Sequence, residues 1–209
     1  MGIKVAKFGG SSVADTIQLI KVKDIIEADP ERRFVVVSAP GKRFDQDTKM
    51  TDLLLLCYTH QLNHLPWEQL FQVVCDRFSA IAFTLGIGKE KLDLQNEYAK
   101  IRFAMEDGAG SDYIASRGEY LNGMLVAAFL GWDFIDAADV IKFDERGRFL
   151  SEETNEILSE ELRKHQCAII PGFYGSKPDG KIVTFSRGGS DITGSIVARA
   201  AGADIYENW

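Results

Sequence analysis

The sequence predicts an α/β domain with a mostly parallel sheet, because short apolar runs that indicate strands alternate with longer segments of helical periodicity. The run at 3–8 alternates and is typical of a buried strand, and the nearly continuous β-branched run at 33–38 is typical of parallel strands covered on both faces. The connections between such strands are expected to be right-handed. A chain of 209 residues that is 45% hydrophobic can bury a full core, so we expect one domain, with two as the upper limit.

The first part of the chain is predicted to run strand, helix, strand. Residues 3–8 form the first strand, which the Gly9–Gly10 pair ends. A helix is expected to follow at once and to end at Asp29–Pro30, with these apolar positions at roughly helical spacing: Val13, Ile17, Ile20, Ile25 and Ile26. The second strand occupies 33–38, and a polar loop follows over 39–50, a length typical of functional or mobile loops.

The remaining elements complete the alternating pattern. A helix capped by Thr51 and Asp52 is followed by helices over 67–85, 89–106 and 113–130. Strands are predicted near 134–135 and 140–143, then a helix near 153–164 and strands over 167–171 and 181–185. The last helix covers 191–201 and the last strand 204–209.

Composition excludes several classes of protein. The chain has 31 acidic and 24 basic side chains, a net charge of −7 that argues against binding to nucleic acid. No window of about 18 uncharged apolar residues exists, so we expect no membrane span, and the amino terminus has no signal-peptide pattern. The three cysteines, Cys57, Cys75 and Cys167, have neither disulfide-framework nor metal-ligand spacing, so we expect a cytoplasmic protein without protein-derived metal ligands.

Two glycine-rich turns are the strongest candidates for a site. Neither a P-loop nor a dinucleotide fingerprint is present, because the required Lys-Ser/Thr pair and third glycine are missing. The first turn, at 7–13, follows a strand and places Lys7 and the amides of Gly9 and Gly10 at a helix N-terminus, which favours bound phosphate. A plain turn with a surface lysine is an equal alternative at this stage.

The second turn, at 186–193, also follows a strand and opens a helix. It combines Arg187, which can grip a carboxylate or phosphate with two parallel hydrogen bonds, with Gly188, Gly189 and the capping residues Ser190 and Asp191. Two such turns on one sheet predict a site that holds two anionic groups close together. Between them, Glu119 either binds an ammonium group or is a solvated carboxylate in the first turn of a helix.

Four segments in the same order resemble the catalytic domain of the aspartokinases, within the amino acid kinase family. They are KFGGSSV at 7–13, VVSAP with MTDLLL at 36–55, SRGEYLNGMLVAAFL at 116–130, and PGFYG through TFSRGGSDITGSIVARAAGAD at 171–204. The resemblance implies a three-layer αβα sandwich with an open, mostly parallel sheet. It also implies transfer of the γ-phosphoryl group of ATP, with Mg²⁺, to the β-carboxylate of L-aspartate, the first step toward lysine, threonine and methionine.

The resemblance also implies roles for individual residues. On the phosphate side, Lys7 contacts the transferring phosphoryl group, and Asp191 organises that lysine. The glycine turns that cradle phosphate are Gly9, Gly10 and Ser11, with the amides near Gly188 and Gly189. On the aspartate side, the opposite charges of Glu119 and Arg187 suit the ammonium and α-carboxylate groups of the substrate. The other substrate-pocket positions are Ser38, Thr51, Phe173 and Ser190.

The chain departs from the family pattern in three places. Ser11 stands where many relatives have Thr, and Ser186 where many have Gly. The chain stops at Trp209, before the family's remaining nucleotide-binding segments and regulatory domains, so we expect an incomplete catalytic domain with little kinase activity alone. The alternatives are another phosphotransferase of the family, such as an acetylglutamate, glutamate or uridylate kinase, and a non-catalytic module for an amino acid or anion. A homo-oligomer is also possible at this stage.

Overall fold

A five-stranded parallel sheet forms the centre of the molecule. The computed structural model describes residues 2–186 and 188–209. Its strands are β1 (Lys4–Phe8), β2 (Arg32–Val37), β3 (Asp133–Phe134), β4 (Ala168–Pro171), β5 (Tyr174–Ser176), β6 (Ile182–Thr184) and β7 (Ile205–Asn208). The parallel sheet has the order β3-β4-β2-β1-β7, whereas β5 and β6 form a separate antiparallel pair. The predicted parallel α/β architecture is therefore confirmed.

Helices cover both faces of this sheet. They are α1 (Thr16–Glu27), α2 (Met50–Leu62), α3 (Glu68–Thr84), α4 (Leu94–Glu106), α5 (Ser111–Leu130), α6 (Ala137–Val140), α7 (Ser151–Leu162) and α8 (Gly189–Ala201). One core contains α1 to α5 and the strand residues Ala6, Phe8, Val35 and Val37. The other contains α6 to α8 with Val5, Phe34 and Val36. Because successive strand residues point to opposite faces, the two cores make the predicted three-layer sandwich.

The register of the strands brings three chain segments to one edge of the sheet. Phe8 pairs with Val37, and Val37 pairs with Pro171, so β1, β2 and β4 end side by side. The ladder continues by one residue, because the Ser38 N–H donates to the Phe8 carbonyl at 3.1 Å and the Gly172 N–H donates to the Val37 carbonyl at 2.9 Å. The loops that leave this carboxyl edge are the ones that carry ligand sites in open parallel sheets.

The predicted first helix is correct in place but wrong in its start, and its predicted apolar positions are buried only in part: Val13 and Ile26 are buried, whereas Ile17 and Ile20 are not. A 3-10 turn over Gly10–Val13 precedes α1, and Asp15 caps that helix by accepting a hydrogen bond from the Gln18 N–H. Ile17 and Ile20 are 66% and 47% exposed, whereas Leu19, Val22 and Ile26 are buried. The position at which α1 begins, after the 3-10 turn, decides which of its residues are buried. The apolar pattern of the sequence did not locate that position.

Other differences concern element type and helix starts. The predicted strand at 140–143 is wrong: α6 ends at Val140, and Lys142 and Phe143 make only isolated bridges. The helix predicted from 89 begins at Leu94, where Asp93 caps it. Neither Thr51 nor Asp52 caps α2, because that helix already begins at Met50. In residues 2–186 and 188–209, no helix has the length and apolarity needed to cross a membrane.

The two faces of α1 can be compared by the same substitution at two positions. Ile26 is 1% exposed in the core and Ile17 is 66% exposed. We expect Ile26→Ala to lower the free energy of unfolding by about 2–4 kcal/mol, because it leaves a cavity. Ile17→Ala should change it by no more than about 0.5 kcal/mol. Urea denaturation followed by circular dichroism measures both values, and equal losses would contradict the assignment of the buried face.

Candidate active site

An ion pair joins the two glycine-rich turns at the carboxyl edge of the sheet. Lys7 lies near the end of β1, and Asp191 lies in the first turn of α8. The distance from Lys7 Nζ to Asp191 Oδ1 is 2.5 Å, and the two side chains are 10% and 51% exposed. Residues far apart in the sequence therefore meet at one place, as the two-turn hypothesis predicts.

The first turn packs tightly against the loop after β2. The Gly41 N–H donates to the Gly10 carbonyl at 2.8 Å. A side chain at Gly41 would meet the Gly10 carbonyl carbon at 2.7 Å, so only glycine allows this approach. The N–H groups of Gly10 and Ser11 lie in the first turn of a 3-10 helix, where no acceptor exists within the helix, so both are suited to an anion.

Gly9 differs from the other residues of this turn. Its N–H donates to the Trp209 carbonyl at 3.0 Å, so that amide already has an acceptor. An added side chain on Gly9 would lie 3.4 Å from Lys7 Nζ. Gly9 therefore keeps the space beside the lysine open, and we do not count its N–H among the groups available to phosphate.

The second turn is held in place by close backbone contacts. Gly188 precedes α8 with φ of 68°, a left-handed conformation that favours glycine. A side chain on Gly189 would meet the Phe173 ring at 2.6 Å, and one on Gly172 would meet Ser190 at 2.7 Å. Phe173 itself has φ of 83°. The structure thus brings Phe173, Gly188, Gly189 and Ser190 to the edge that holds Lys7 and Asp191.

Phe173 and α8 are also linked by hydrogen bonds. The Phe173 N–H donates to Thr193 Oγ1 at 3.0 Å, and this hydroxyl donates to the Gly189 carbonyl at 2.9 Å. Such a chain of bonds fixes the unusual backbone of Phe173 against the start of the helix. Arg187 lies outside the described residues, so its predicted role is not addressed by this geometry.

Glu119 is a buried carboxyl group on α5 rather than a solvated one in a first helical turn. It is 5% exposed, and its Oε2 atom has no hydrogen-bond partner among the described residues. Burial raises the pKa of Glu119 to about 8, opposed by a hydrogen bond from the backbone of Ala39. Gly118 allows α5 to approach that segment, because a side chain there would meet Ala39 Cβ at 2.8 Å. A cationic ligand group would stabilise the ionised form of Glu119.

Ser38 and Thr51 lie at the ends of the loop that faces Glu119. Ser38 follows β2, and Thr51 follows Met50 at the start of α2, which packs beside Gly118. The side-chain amide of Asn122 donates to the Ser38 carbonyl at 2.7 Å. Asn122 is fully buried, and its Oδ1 atom has no partner within the described part of the chain. Two unpaired acceptors therefore lie one helical turn apart on α5.

Sequence reasoning missed Gly41 and Asn122. Gly41 lies in the loop predicted over 39–50, and its contact with Gly10 depends on a tertiary approach that no local pattern encodes. Asn122 stands three residues after Glu119, so the i, i+3 spacing on a helix was the available signal. Among the described residues no group of three His, Cys, Asp or Glu side chains is placed to hold a metal ion.

These features define a three-layer α/β protein whose sheet edge carries two glycine turns, joined by a lysine–aspartate ion pair, and a nearby buried carboxyl group. The chain belongs to the amino acid kinase family, which matches residues 2–209. It is similar to aspartokinase 3 of Bacillus subtilis (strain 168), with 39% identity over 225 aligned positions, covering 99% of this chain and 48% of the relative.

Solved structures of aspartate kinases are also similar to this chain. Aspartate kinase of Clostridium acetobutylicum superposes with a TM-score of 0.95 and 47% identity, over 100% of this chain and 48% of that chain. Aspartokinase III of E. coli in complex with aspartate and ADP superposes with a TM-score of 0.80 and 25% identity, over 99% and 48%. The resemblance to aspartokinases is confirmed, and the chain spans about half the length of these relatives.

The raised pKa of Glu119 predicts a pH-dependent stability difference from the Glu119→Gln variant. Between its ordinary value of 4.5 and about 8, the folded chain keeps a proton that the unfolded chain releases. The parent therefore loses stability relative to the variant as the pH rises, by roughly 3 kcal/mol between pH 5 and pH 8. Urea denaturation of both proteins measures the difference. A difference that does not change with pH would contradict the burial of a protonated carboxyl group.

Proposed function

We propose that the chain takes part in transfer of the γ-phosphoryl group of ATP to the β-carboxylate of L-aspartate, giving 4-phospho-L-aspartate and ADP. The observation that carries the proposal is the Lys7–Asp191 contact of 2.5 Å, which unites both glycine turns beside Glu119. Its similarity to aspartokinases supports aspartate as the acceptor. By the same similarity, we propose that residues 1–209 are amino acid kinase catalytic domain and that the product feeds lysine, threonine and methionine biosynthesis.

The proposed reaction needs no general base. A carboxylate oxygen of aspartate attacks the γ-phosphorus, the new carboxyl O–P bond forms, and the bond to the β-phosphate oxygen breaks. ADP leaves with the electron pair of that bond, so no proton has to move. The protein's contribution is to align the reactants and to offset negative charge on the phosphoryl oxygens. In this proposal Lys7 supplies the positive charge, and the N–H groups of Gly10 and Ser11 bind phosphate oxygens.

Asp191 has a positioning role in this scheme. Its carboxylate accepts from Lys7 Nζ and holds the ammonium group beside the open space at Gly9. The Lys7 side chain is 10% exposed and that of Asp191 51%, and we propose that a phosphate oxygen reaches the same ammonium group through the space at Gly9. Gly188 lets a ligand come close to the backbone at the start of α8, because an added side chain there would have, among the described residues, only Asp191 Oδ2 nearby, at 3.8 Å, whereas Gly189 lets Phe173 pack against the helix.

Recognition of an amino acid requires acceptors for its ammonium group. Glu119 Oε2 and Asn122 Oδ1 are both buried and unpaired within the described residues. An ammonium group bound there would pair with the carboxylate form of Glu119 and satisfy both acceptors. Arg187 is proposed to bind the α-carboxylate, while Ser38, Thr51, Phe173 and Ser190 line the remaining pocket.

Mg²⁺ is proposed to reach the site bound to the phosphates of ATP. Protein sites for nucleotide-bound Mg²⁺ use one or two carboxylates together with substrate phosphates, rather than a cage of protein ligands. The described residues fit that arrangement, because the half-exposed carboxylate of Asp191 is next to the glycine turns. When bound, the ion would offset charge on the phosphoryl oxygens.

The role of Lys7 can be tested against a second lysine of the same strand. Lys4 pairs with Asp29 at 2.6 Å, at the other end of β1. We expect Lys7→Met to lower kcat for aspartate-dependent ADP formation by about 100-fold or more, because charge stabilisation of the transferring group is lost. Lys4→Met should change kcat by less than about threefold, because the partly buried Lys4–Asp29 pair lies away from the carboxyl edge that holds the site.

The assay uses the chain itself and a chimera that appends the C-terminal half of the 39%-identical relative, because low turnover of the chain alone stays a prediction. Trapping the acyl phosphate with hydroxylamine identifies the product. Aspartate binding without turnover in either protein would favour a non-catalytic module instead. Turnover with another amino acid or with uridylate, and none with aspartate, would favour a different phosphotransferase.

The role of Glu119 is tested by aspartate binding. We expect Glu119→Gln to weaken the affinity for L-aspartate by about 10- to 100-fold, because the ammonium group loses its charged partner. The matched control is Glu97→Gln, since Glu97 is also buried but already pairs with Lys100 at 2.7 Å. Isothermal titration calorimetry measures both variants, and equal affinities would contradict the assignment of Glu119.

A further inference from the structure

A buried arginine on α3 contacts two segments of the site without belonging to it. The Arg77 side chain is 4% exposed and comes from the middle of a helix that supplies none of the predicted site residues. Its position is unusual for a charged group, because removing a guanidinium from water costs free energy that only hydrogen bonds and a counter-charge can offset.

Arg77 donates hydrogen bonds to three backbone carbonyls. One guanidinium nitrogen donates to the Ala14 carbonyl at 3.1 Å and also to the Gly41 carbonyl. The other terminal nitrogen donates to the Thr48 carbonyl at 3.1 Å. Ala14 ends the 3-10 turn after the first glycine pair, whereas Gly41 and Thr48 belong to the loop between Ser38 and Thr51. One side chain thus joins the turn at 7–13, proposed to bind phosphate, to the loop at 39–50, which faces Glu119.

An ionic contact completes the connection on the loop side. Asp47 Oδ2 lies 3.5 Å from Arg77 Nη1. The same carboxylate accepts from Arg43 Nε at 2.7 Å and from the Arg43 backbone N–H at 3.0 Å. Hydrogen bonding from Arg43 is the main reason that the pKa of Asp47 lies well below its usual range. The loop therefore folds around an ionised carboxylate that faces the Arg77 guanidinium.

The chemistry of the guanidinium suits this task. Arginine presents several N–H donors in one rigid plane, so it can hold carbonyls from different segments at a set separation. A lysine ammonium is a compact point charge on a flexible stem, and it lacks that planar spread of donors. The turn and the loop already contact each other where the Gly41 N–H donates to the Gly10 carbonyl. Arg77 adds a second connection, through the carbonyls of Ala14 and Thr48.

We propose that Arg77 is a positioning residue that sets the distance between the phosphate-binding turn and the substrate-binding loop. The inference rests on the proposed phosphotransfer for its kinetic consequence. Reacting groups must lie within about 3–3.5 Å for efficient transfer, and a shift of about 1 Å can lower the rate by 100-fold. Loss of Arg77 lets the turn and the loop move relative to each other, whereas each keeps its own ligand contacts.

The direct test is amide hydrogen exchange of Arg77→Met in the 209-residue chain. We expect exchange of the amides in 9–15 and 41–50 to accelerate by about tenfold or more, with strand amides unchanged. The matched control is Arg33→Met. Arg33 also donates to two backbone carbonyls, those of Gln166 and His165, but at the opposite end of β2. Unchanged exchange in both site segments of Arg77→Met would overturn the proposal.

The kinetic test separates positioning from general loss of structure. In the phosphotransfer assay, Arg77→Met should lower kcat by about 10- to 100-fold and change the aspartate KM by less than about threefold. Arg33→Met should leave both values within about twofold. Arg77→Met could instead lower only the fraction of molecules that bind substrate and leave kcat per binding-competent molecule unchanged. That result would indicate a purely structural role and overturn the proposal.

A conservative variant keeps the test decisive. If Arg77→Met does not fold, Arg77→Lys retains the positive charge and should still show faster exchange in both segments, because it lacks the planar fork. Protection equal to that of the parent would overturn the proposal. If neither the chain nor the chimera transfers a phosphoryl group to aspartate, the proposed function fails, whereas the exchange measurement still decides whether Arg77 couples the two segments.

Discussion

The parallel register of β1, β2 and β4 is the constraint on which the site depends. Because these strands run in the same direction and end side by side, the segments after Phe8, Val37 and Pro171 leave the sheet at one edge. Behind this edge, the apolar strand residues within 5–8, 34–37 and 168–170 are buried in one of two cores, so the strand ends cannot shift without disturbing both helical layers. The sheet is a rigid base, and the chemistry lies in the loops that it supports.

Close backbone approach is the second requirement of this edge. Gly10 and Gly41 meet through a hydrogen bond, Gly172 lies against Ser190, and Gly189 lies against Phe173. At each contact a methyl group would overlap a neighbouring atom. Glycine is therefore needed here for the absence of a side chain, and not in every case for a left-handed backbone. The loops can pack as closely as elements of regular structure and still expose N–H groups.

In the proposed function, the charges at the site complement a zwitterionic amino acid and a phosphate. Lys7 lies with Asp191 at the end of β1, and Glu119 lies buried on α5 without a cationic partner within 4 Å in the described chain. A neutral Glu119 in the free protein makes burial tolerable, and an incoming ammonium group reverses the balance by favouring its ionised form. In the proposed function, binding and ionisation are thereby coupled. Arg77 adds a buried charge outside the site, where it contacts the turn after Gly10 and the loop after Ser38.

The sequence by itself determined the alternation of strands and helices, the two glycine turns and the resemblance that joined Lys7, Glu119 and Asp191 in one hypothesis. These features are local, since apolar periodicity and turn residues act over a few positions. Only the tertiary structure decided which face of α1 is buried, that the residues around Val140 form a short helix, and that Gly41, Arg77 and Asn122 contact the loops at the carboxyl edge of the sheet. Those outcomes depend on contacts between segments distant in sequence, where packing overrides local propensity and no single segment carries the information.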